Sequence, residues 1–437
     1  MPPPRILEAS VDSTVFAQTD RNPGTALDSL AATACRTPGS SPPFSSPSPL
    51  SDPERRRTPG YDCAMRVTPG RAALLAAVLA FVGGGALTLP RVLAGGLPVG
   101  ADAPAYCRIA RTVVATGSLE LPGPDLIDRD IQQDLSSPFG TPYALTRDGR
   151  LFPKHSALFG LALAPGTALA GVAGAQASYL LLSAALAAFL VHRTATVFGS
   201  APALASFACI YLLVPGGRNL AFGMNLDTVL ALAVLAAFDL AARGRGFAAG
   251  LLGALSLFLR PTAALLVLPL PFVAAERKGS AARTAVGLGA GFLVFGALNA
   301  HVWGSPFLTA YGRSAVLGPG GFRAVDHAAA FGTNPLSGIA TLLASYPDGL
   351  LFVFPLLLLS PLGFLARDAR RAEWWVPLAA GAASFLALGA YDYAVAHPDH
   401  MIYRFAGTTW FASAFPLAAV LAWILEACRT RSPEPLR

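Results

Sequence analysis

Long apolar stretches recur along most of the chain, and they limit its fold more than any other feature. Runs of about 17–25 apolar residues, the length that crosses a bilayer as a helix, appear repeatedly between Ala72 and Ala427. Of the 437 residues 54% are hydrophobic and 13% are charged, against roughly 25% charged in soluble domains. The chain is therefore predicted to be an all-α polytopic membrane protein, which excludes a soluble enzyme, a disulfide-rich secreted scaffold and a disordered protein.

The basic residues predict how the spans are oriented. We expect ten spans, at 72–90, 175–192, 201–215, 225–242, 247–259, 261–275, 284–301, 349–366, 374–391 and 406–426. Both termini then lie in the cytoplasm, and the short Arg clusters between spans fall on the cytoplasmic side, in agreement with the positive-inside rule. The stretch Ser156–Val172 would scatter these clusters if it crossed, so we expect a re-entrant or interfacial helix. The same rule divides 247–275 at Arg260-Pro261.

This topology places two large segments outside the cytoplasm, a first loop at about 94–174 that contains short helices and a second at about 301–348. Polar residues are concentrated on that face.

Residues 1–64 are rich in Pro and Ser and are expected to be disordered, or not translated if Met65 is the start. Residues 65–437 form the membrane domain. The net charge of +7 reflects topology, so no nucleic acid is expected as a partner.

Candidate reactive residues follow the first span. Asp102 precedes Ala103-Pro104 and a helical pattern, which suits either a helix N-cap or a carboxylate whose burial favours general-base chemistry. D-G-R-L-F-P-K-H-S (148–156) leads into the non-crossing helix, so Lys154 and His155 are either solvated or placed to neutralise a phosphate. All but two of the 32 basic residues are Arg, which draws attention to Lys154.

Three more ionisable groups lie close to span ends. Arg218 and Asp227 flank the fourth span, and Arg260 lies at the tip of the predicted hairpin. Charged groups at membrane depth are costly and are candidates for function. For Arg218 and Asp227, anchoring at the membrane interface is an equally good interpretation.

The order of these motifs resembles a known family. A span, then G-x-D with a Tyr four residues on, T-G-S-L-E-L (116–121) and D-G-R-L-F-P-K-H (148–155), is similar to the first external loop of the GT-C superfamily of integral-membrane glycosyltransferases. The likeness is closest to the bacterial group related to protein O-mannosyltransferases and lipid A aminoarabinose transferase, as in glycosyltransferase family 39. It continues through L-R-P (259–261), W-G-S-P-F-L-T-A-Y (303–311), S-Y-P-D-G-L-L-F-V-F-P (345–355) and Y-R-F (403–405), over nearly all of residues 65–437.

The resemblance implies a sugar transferase of the bacterial plasma membrane whose site faces outward. The donor would be a polyprenyl-phosphate sugar among membrane lipids, the acceptor a hydroxyl of a glycan, lipid or protein, and the displacement inverting. Asp102 corresponds to the catalytic acidic residue of the family and Lys154 to its phosphate-contacting lysine. The other substrate-binding candidates are Tyr106, His155, Arg218, Arg260, Tyr311 and Arg404.

Two departures from the family pattern leave alternatives open. Many relatives have a second acidic residue where this chain has Ala103, which puts a divalent metal in question, although no cofactor is otherwise implied. The usual Y-P-P after the lysine is His155-Ser156-Ala157 here. A catalytically inactive relative is one alternative. A transporter or flippase of lipid-linked saccharides is the other, and it would have ionisable residues in mid-span and paired broken helices.

Overall fold

The computed structural model describes residues 67–96, 98, 100, 102–122, 141–325, 332–345, 349–366, 371–391 and 407–430. These residues all belong to one unit of the chain, Cys63–Arg437. The predicted disorder of residues 1–64 concerns a segment outside the described residues.

The described chain is mostly helical, as expected where apolar segments must satisfy their own backbone polar groups. The helices are α1 (Pro69–Leu93), α2 (Ala103–Thr116), α3 (Ala157–Phe198), α4 (Ser200–Phe207), α5 (Pro215–Phe222), α6 (Leu226–Ala242), α7 (Gly246–Leu259), α8 (Ala264–Val267), α9 (Leu270–Ala274), α10 (Ser280–Trp303), α11 (Pro335–Ala344), α12 (Leu350–Val353), α13 (Ser360–Gly363), α14 (Ala372–Gly389) and α15 (Ala414–Thr430). A π-helix covers Ala208–Leu213, and 3₁₀ turns cover Pro261–Ala263, Ala310–Arg313 and Pro355–Leu359.

Within the described residues, four helices are long and apolar enough to cross a membrane: Pro69–Leu93, Ala157–Phe198, Ser280–Trp303 and Gly407–Cys428. A fifth is added if Ser200–Leu213 and Pro215–Phe222, which are bent by 85°, count as one span. The structure is therefore compatible with a membrane protein, whereas the predicted count of ten spans is not confirmed.

Several predicted spans fall short because they are interrupted or brief. The segment 349–366 is divided into α12, a 3₁₀ turn and α13, and Pro355 and Pro361 each stand in the first turn of a new piece. Proline has no N–H to donate and clashes with the preceding turn, so a helix ends and restarts there. Helix α6 is continuous but has 17 residues.

Helix α3 reverses direction after its first third. Ala170 and Gly171 have non-helical backbone angles, with φ at +57° for Gly171. A Cβ on Gly174 would overlap the carbonyl oxygen of Gly166. In a straight helix those two residues would be about 12 Å apart. Residues 157–169 and 172–198 are therefore two arms of a hairpin, and the predicted boundary between a non-crossing helix and a span falls at its turn.

The second arm of α3 runs antiparallel to α1. Near the end of α1, Gln176 Nε2 donates to Thr88 Oγ1 at 3.1 Å. At the other end of the pair, Ser200 Oγ donates to the carbonyl oxygen of Val67 at 2.6 Å. The first arm, whose residues pair with the early part of the second, consequently lies toward the Thr88 end of α1.

The segment 247–275 turns at Arg260, as predicted. Helix α7 ends at Leu259, Arg260 is extended, and the chain returns through the 3₁₀ turn, α8 and α9. Arg277 Nε then donates to the carbonyl oxygen of Ala242 at 3.3 Å, just before α7 begins. This hairpin therefore starts and finishes at the same end of the bundle.

Other basic residues also lie at that end of the bundle. Arg193 of α3 and Arg243 after α6 both contact the Asp239 carboxylate, at 2.6 and 2.8 Å. The Arg193 guanidinium lies 5.5 Å from the ring centroid of Trp374 at the start of α14. We call this the basic end, and the contacts agree with the sequence argument that these Arg clusters share one side.

A small sheet forms between the two segments predicted to be external. Strands β1 (Tyr143–Leu145), β2 (Leu151–Pro153), β3 (Ser314–Gly318) and β4 (Gly321–Val325) are antiparallel in the order β2-β1-β3-β4. The Arg313 guanidinium donates to the carbonyl oxygens of Leu145 and Thr146, at 2.7 and 3.1 Å. The fold is thus not purely α-helical as predicted. Strands of three to five residues are too short to give a readable alternation.

Candidate functional site

Asp102 stands in the N-cap position of α2 without acting as a cap. Its side chain makes no capping hydrogen bond to the helix. Instead, Asp102 Oδ2 lies 3.7 Å from Nδ1 of His155, and the carboxylate is 17% exposed. The N-cap interpretation of this residue is therefore not supported, whereas a largely buried carboxylate beside an imidazole suits acid–base chemistry.

Lys154 and His155 directly follow β2 and are both buried, Lys154 with 4% exposure. The interpretation of these two side chains as solvated surface groups is therefore wrong. Their backbone is fixed on both sides. Lys154 N donates to the carbonyl oxygen of Pro142 at 2.9 Å, and Ser156 Oγ accepts from Phe159 N at 3.2 Å, which caps α3.

Two tyrosines predicted to bind substrate stand edge-on to the His155 ring. The ring centroid of Tyr106, on α2, is 5.9 Å away, and that of Tyr311, in the 3₁₀ turn Ala310–Arg313, is 6.4 Å away. Tyr106 also contacts Phe159 of α3 at 4.6 Å. The imidazole is therefore held in an aromatic cage that joins α2, α3 and the second external segment.

Arg260 has a charged partner that the sequence did not assign to it. Arg260 Nη1 lies 2.8 Å from Asp227 Oδ1, and Nη2 donates to Asp227 Oδ2 at 3.3 Å. Both side chains are at least nine-tenths buried. A two-point contact of this kind fixes the guanidinium plane. Arg260, predicted to bind substrate, and Asp227, considered an interface anchor, thus form one buried ion pair.

Hydrogen bonding joins the two halves of the site. Ser156 Oγ donates to the carbonyl oxygen of Phe258 at 3.0 Å, two residues before Arg260. On the other side, the loop before Asp102 approaches the loop before α6, since a Cβ on Gly100 would meet the carbonyl oxygen of Met224. The Asp102–His155 pair and the Arg260–Asp227 pair therefore lie at one end of the bundle, opposite the basic end.

One further predicted residue, Arg218, is not brought into this arrangement. Arg218 is exposed on α5, and among the contacts of the described residues none joins it to Asp102 or His155. Arg404 lies outside the described residues.

Sequence reasoning missed Arg108, a buried cation on α2. Arg108 Nη1 donates to the hydroxyl of Tyr143 on β1 at 2.5 Å. Burial raises the pKa of Tyr143, and the nearby Arg108 offsets part of that rise. Arg108 and Thr112 are one turn apart on the same face of α2, but sequence cannot show which partner lies opposite that face. The pair anchors the sheet to α2.

The thiol of Cys107, next to Tyr106 on α2, is not a reactive nucleophile. Burial raises the pKa of the Cys107 thiol to about 12, so it is protonated at neutral pH. Within the described ranges no three His, Cys, Asp or Glu side chains are grouped to hold a metal ion. Asp102 and His155 supply two side chains, fewer than the three protein ligands that a catalytic zinc site commonly has.

Comparison with known proteins adds no relative to these observations. No family model, no curated protein and no solved structure matched this chain.

Proposed function

We propose that the chain is an integral-membrane glycosyltransferase. It would move a sugar from a polyprenyl-phosphate donor to a hydroxyl acceptor outside the cytoplasm, with inversion at the anomeric carbon. The observation that carries the proposal is the Asp102 carboxylate, which makes no capping bond and lies 3.7 Å from a buried imidazole. A purely structural N-cap has no need of such surroundings.

The chemistry needs two functions that these residues can supply. A base must take the proton of the acceptor hydroxyl, which is the role of Asp102. A cation must stabilise the phosphate as it leaves, which is the role of the buried Lys154. The acceptor oxygen forms a bond to the anomeric carbon while the carbon–oxygen bond to phosphate breaks, and that bonding pair leaves with the phosphate. In the transition state the sugar ring develops positive charge and resembles an oxocarbenium ion, as in glycoside hydrolysis.

The donor's lipid chain needs a groove, and the first arm of α3 is our candidate for one wall. Leu161 and Leu169 on this arm are exposed. The arm starts at Ser156, directly after Lys154, so a lipid lying along it would bring its phosphate to the lysine.

We test the activity on membranes that contain the full chain. The probes are radiolabelled mannose, glucose, galactose and arabinose, each linked to polyprenyl phosphate, and the readout is label in a water-soluble or protein fraction. Transfer from at least one donor supports the proposal. Movement of intact donor across the vesicle membrane without transfer would favour the flippase. If neither transfer nor movement is observed, the inactive relative is favoured.

Orientation is the first specific prediction. We propose ten spans with both termini in the cytoplasm of a bacterial cell, which places the sheet outside and the basic end inside. In a cysteine-free background, Asp148→Cys and Val325→Cys should react with a membrane-impermeant maleimide in intact cells. Arg245→Cys, exposed between α6 and α7, should react only after permeabilisation. Labelling of Arg245→Cys in intact cells would contradict the scheme.

Lys154 gives the second prediction. Lys154→Ala should lower transfer about 10²–10³-fold, the usual effect of removing one group that stabilises developing negative charge. Lys154→Arg should restore only part of the rate, since a planar fork replaces a compact ammonium. Initial rates are measured at saturating donor. The matched control is Lys278→Ala, which removes the other, exposed lysine and should have no effect. Equal rates for both alanine variants would remove Lys154 from the site.

A further inference from the structure

His155 lies beside the proposed base, with Nδ1 3.7 Å from Asp102 Oδ2, and nothing in the family resemblance explains it. The relatives usually have Y-P-P after the lysine, whereas this chain has His155-Ser156-Ala157. We infer that His155 is a positioning residue that orients the Asp102 carboxylate and accepts the proton that Asp102 has taken from the acceptor. This inference rests on the proposed function.

The geometry places the imidazole of His155 against the Asp102 carboxylate. Nδ1 faces Asp102 Oδ2 at 3.7 Å, and the His155 side chain is 8% exposed. The rings of Tyr106 and Tyr311 stand edge-on at 5.9 and 6.4 Å. These contacts limit rotation of the ring away from Asp102. Pairs of this kind are often long without substrate and shorten in the complex.

Several titratable groups contact His155. They include Asp102 and Tyr106 from α2 and Tyr311 from the 3₁₀ turn, and Lys154 precedes it in the chain. Tyrosine and lysine side chains ordinarily change charge near pH 10, whereas histidine does so near pH 6.5. Among these side chains, histidine is therefore the one whose ordinary pKa lies between 5 and 8.

The proton balance follows from that pair. The acceptor's proton moves to the Asp102 carboxylate as the new glycosidic bond forms and the phosphate leaves. The proton then passes to His155 Nδ1 and from there to solvent, which restores the carboxylate. If His155 is already protonated, it cannot accept, and its positive charge stabilises the carboxylate ion and weakens it as a base. Activity should therefore fall as the pH drops through the histidine range.

The test compares His155 variants across pH. His155→Asn places an amide nitrogen near the position of Nδ1 but does not titrate, whereas His155→Ala removes the contact. For the full chain in nanodiscs, kcat and KM are measured from pH 5 to 8.5 with the labelled donor that the wild type uses.

The expected results separate positioning from structure. Below its inflection the wild type should lose about tenfold in kcat per pH unit, as one protonation requires. His155→Asn should be about 10–100-fold slower at pH 8, with KM for donor within twofold, and should lack the fall between pH 7 and 6. His155→Ala should be slower still. The control His301→Asn, at the exposed end of α10, should match the wild type throughout.

Two outcomes overturn the inference in distinguishable ways. If the wild type transfers sugar and His155→Asn keeps the wild-type pH profile, the role of His155 is refuted while the glycosyltransferase stands. If the wild type transfers none of the four sugars, the proposed function fails and this role fails with it. Should His155→Asn not accumulate in membranes, His155→Gln is judged by the same pH criterion.

Discussion

Asp102→Asn should lower sugar transfer about 10²–10⁴-fold, the usual contribution of a positioned general acid or base. The substitution preserves size and removes the negative charge together with the ability to accept a proton. Because Asp102 makes no side-chain capping hydrogen bond to α2, its replacement should not weaken the start of that helix, and membrane levels and the thermal midpoint should stay close to those of the wild type. Single-turnover rates with bound donor report the chemical step directly.

The matched control for this variant is Asp148→Asn, an acidic residue of the same external segment with 62% side-chain exposure. It should transfer sugar at the wild-type rate. Wild-type activity in Asp102→Asn would return Asp102 to a structural role. A loss of activity that accompanies a lowered thermal midpoint would point the same way.

Breaking the Arg260–Asp227 pair should lower the free energy of unfolding by about 3–5 kcal/mol, because the remaining charge stays buried without its partner. Asp227→Ala and Arg260→Ala should each show this loss. The double variant should lose much less than the sum, since it leaves no uncompensated charge. Unfolding in mixed micelles of increasing SDS content, followed by circular dichroism, measures the differences.

Arg218→Ala is the control for the ion pair, since it removes an exposed arginine and should change stability by less than about 0.5 kcal/mol. Additive losses in the double variant would mean that Arg260 and Asp227 do not interact. Losses as small as that of Arg218→Ala would mean that water reaches the pair and compensates each charge.

Local patterns predicted that the chain is mostly helical and that it turns at Arg260-Pro261. The turn at Arg260-Pro261 was inferred from the placement of basic residues. After this turn the chain runs back until Arg277 contacts the carbonyl oxygen of Ala242. The break near Gly171 lies at the boundary drawn between a non-crossing helix and a span. Periodicity and charge act over short distances along the chain, so such features can be read without knowing the tertiary contacts.

The pairings across the fold could not be read in this way. Asp227 was recognised as costly to bury, but its pairing with Arg260 depends on how α6 and α7 approach each other. Asp102 was given two roles that only its distance to His155 separates. Arg218 satisfied the same sequence criteria as Arg260, yet it is exposed. A single sequence ranks residues by what they would cost if buried, and it does not say which of them meet.

The sheet makes the site a late product of synthesis. Strands β1 and β2 end at Pro153, whereas the strands that complete the sheet extend to Val325, about 170 residues later. At 5–20 residues per second, the ribosome needs about 10–35 s to supply them. During that interval Lys154 and His155 have already been made, but Tyr311, which stands against the His155 ring, has not. The nascent chain therefore carries an incomplete candidate site until the residues that follow α10 have been made.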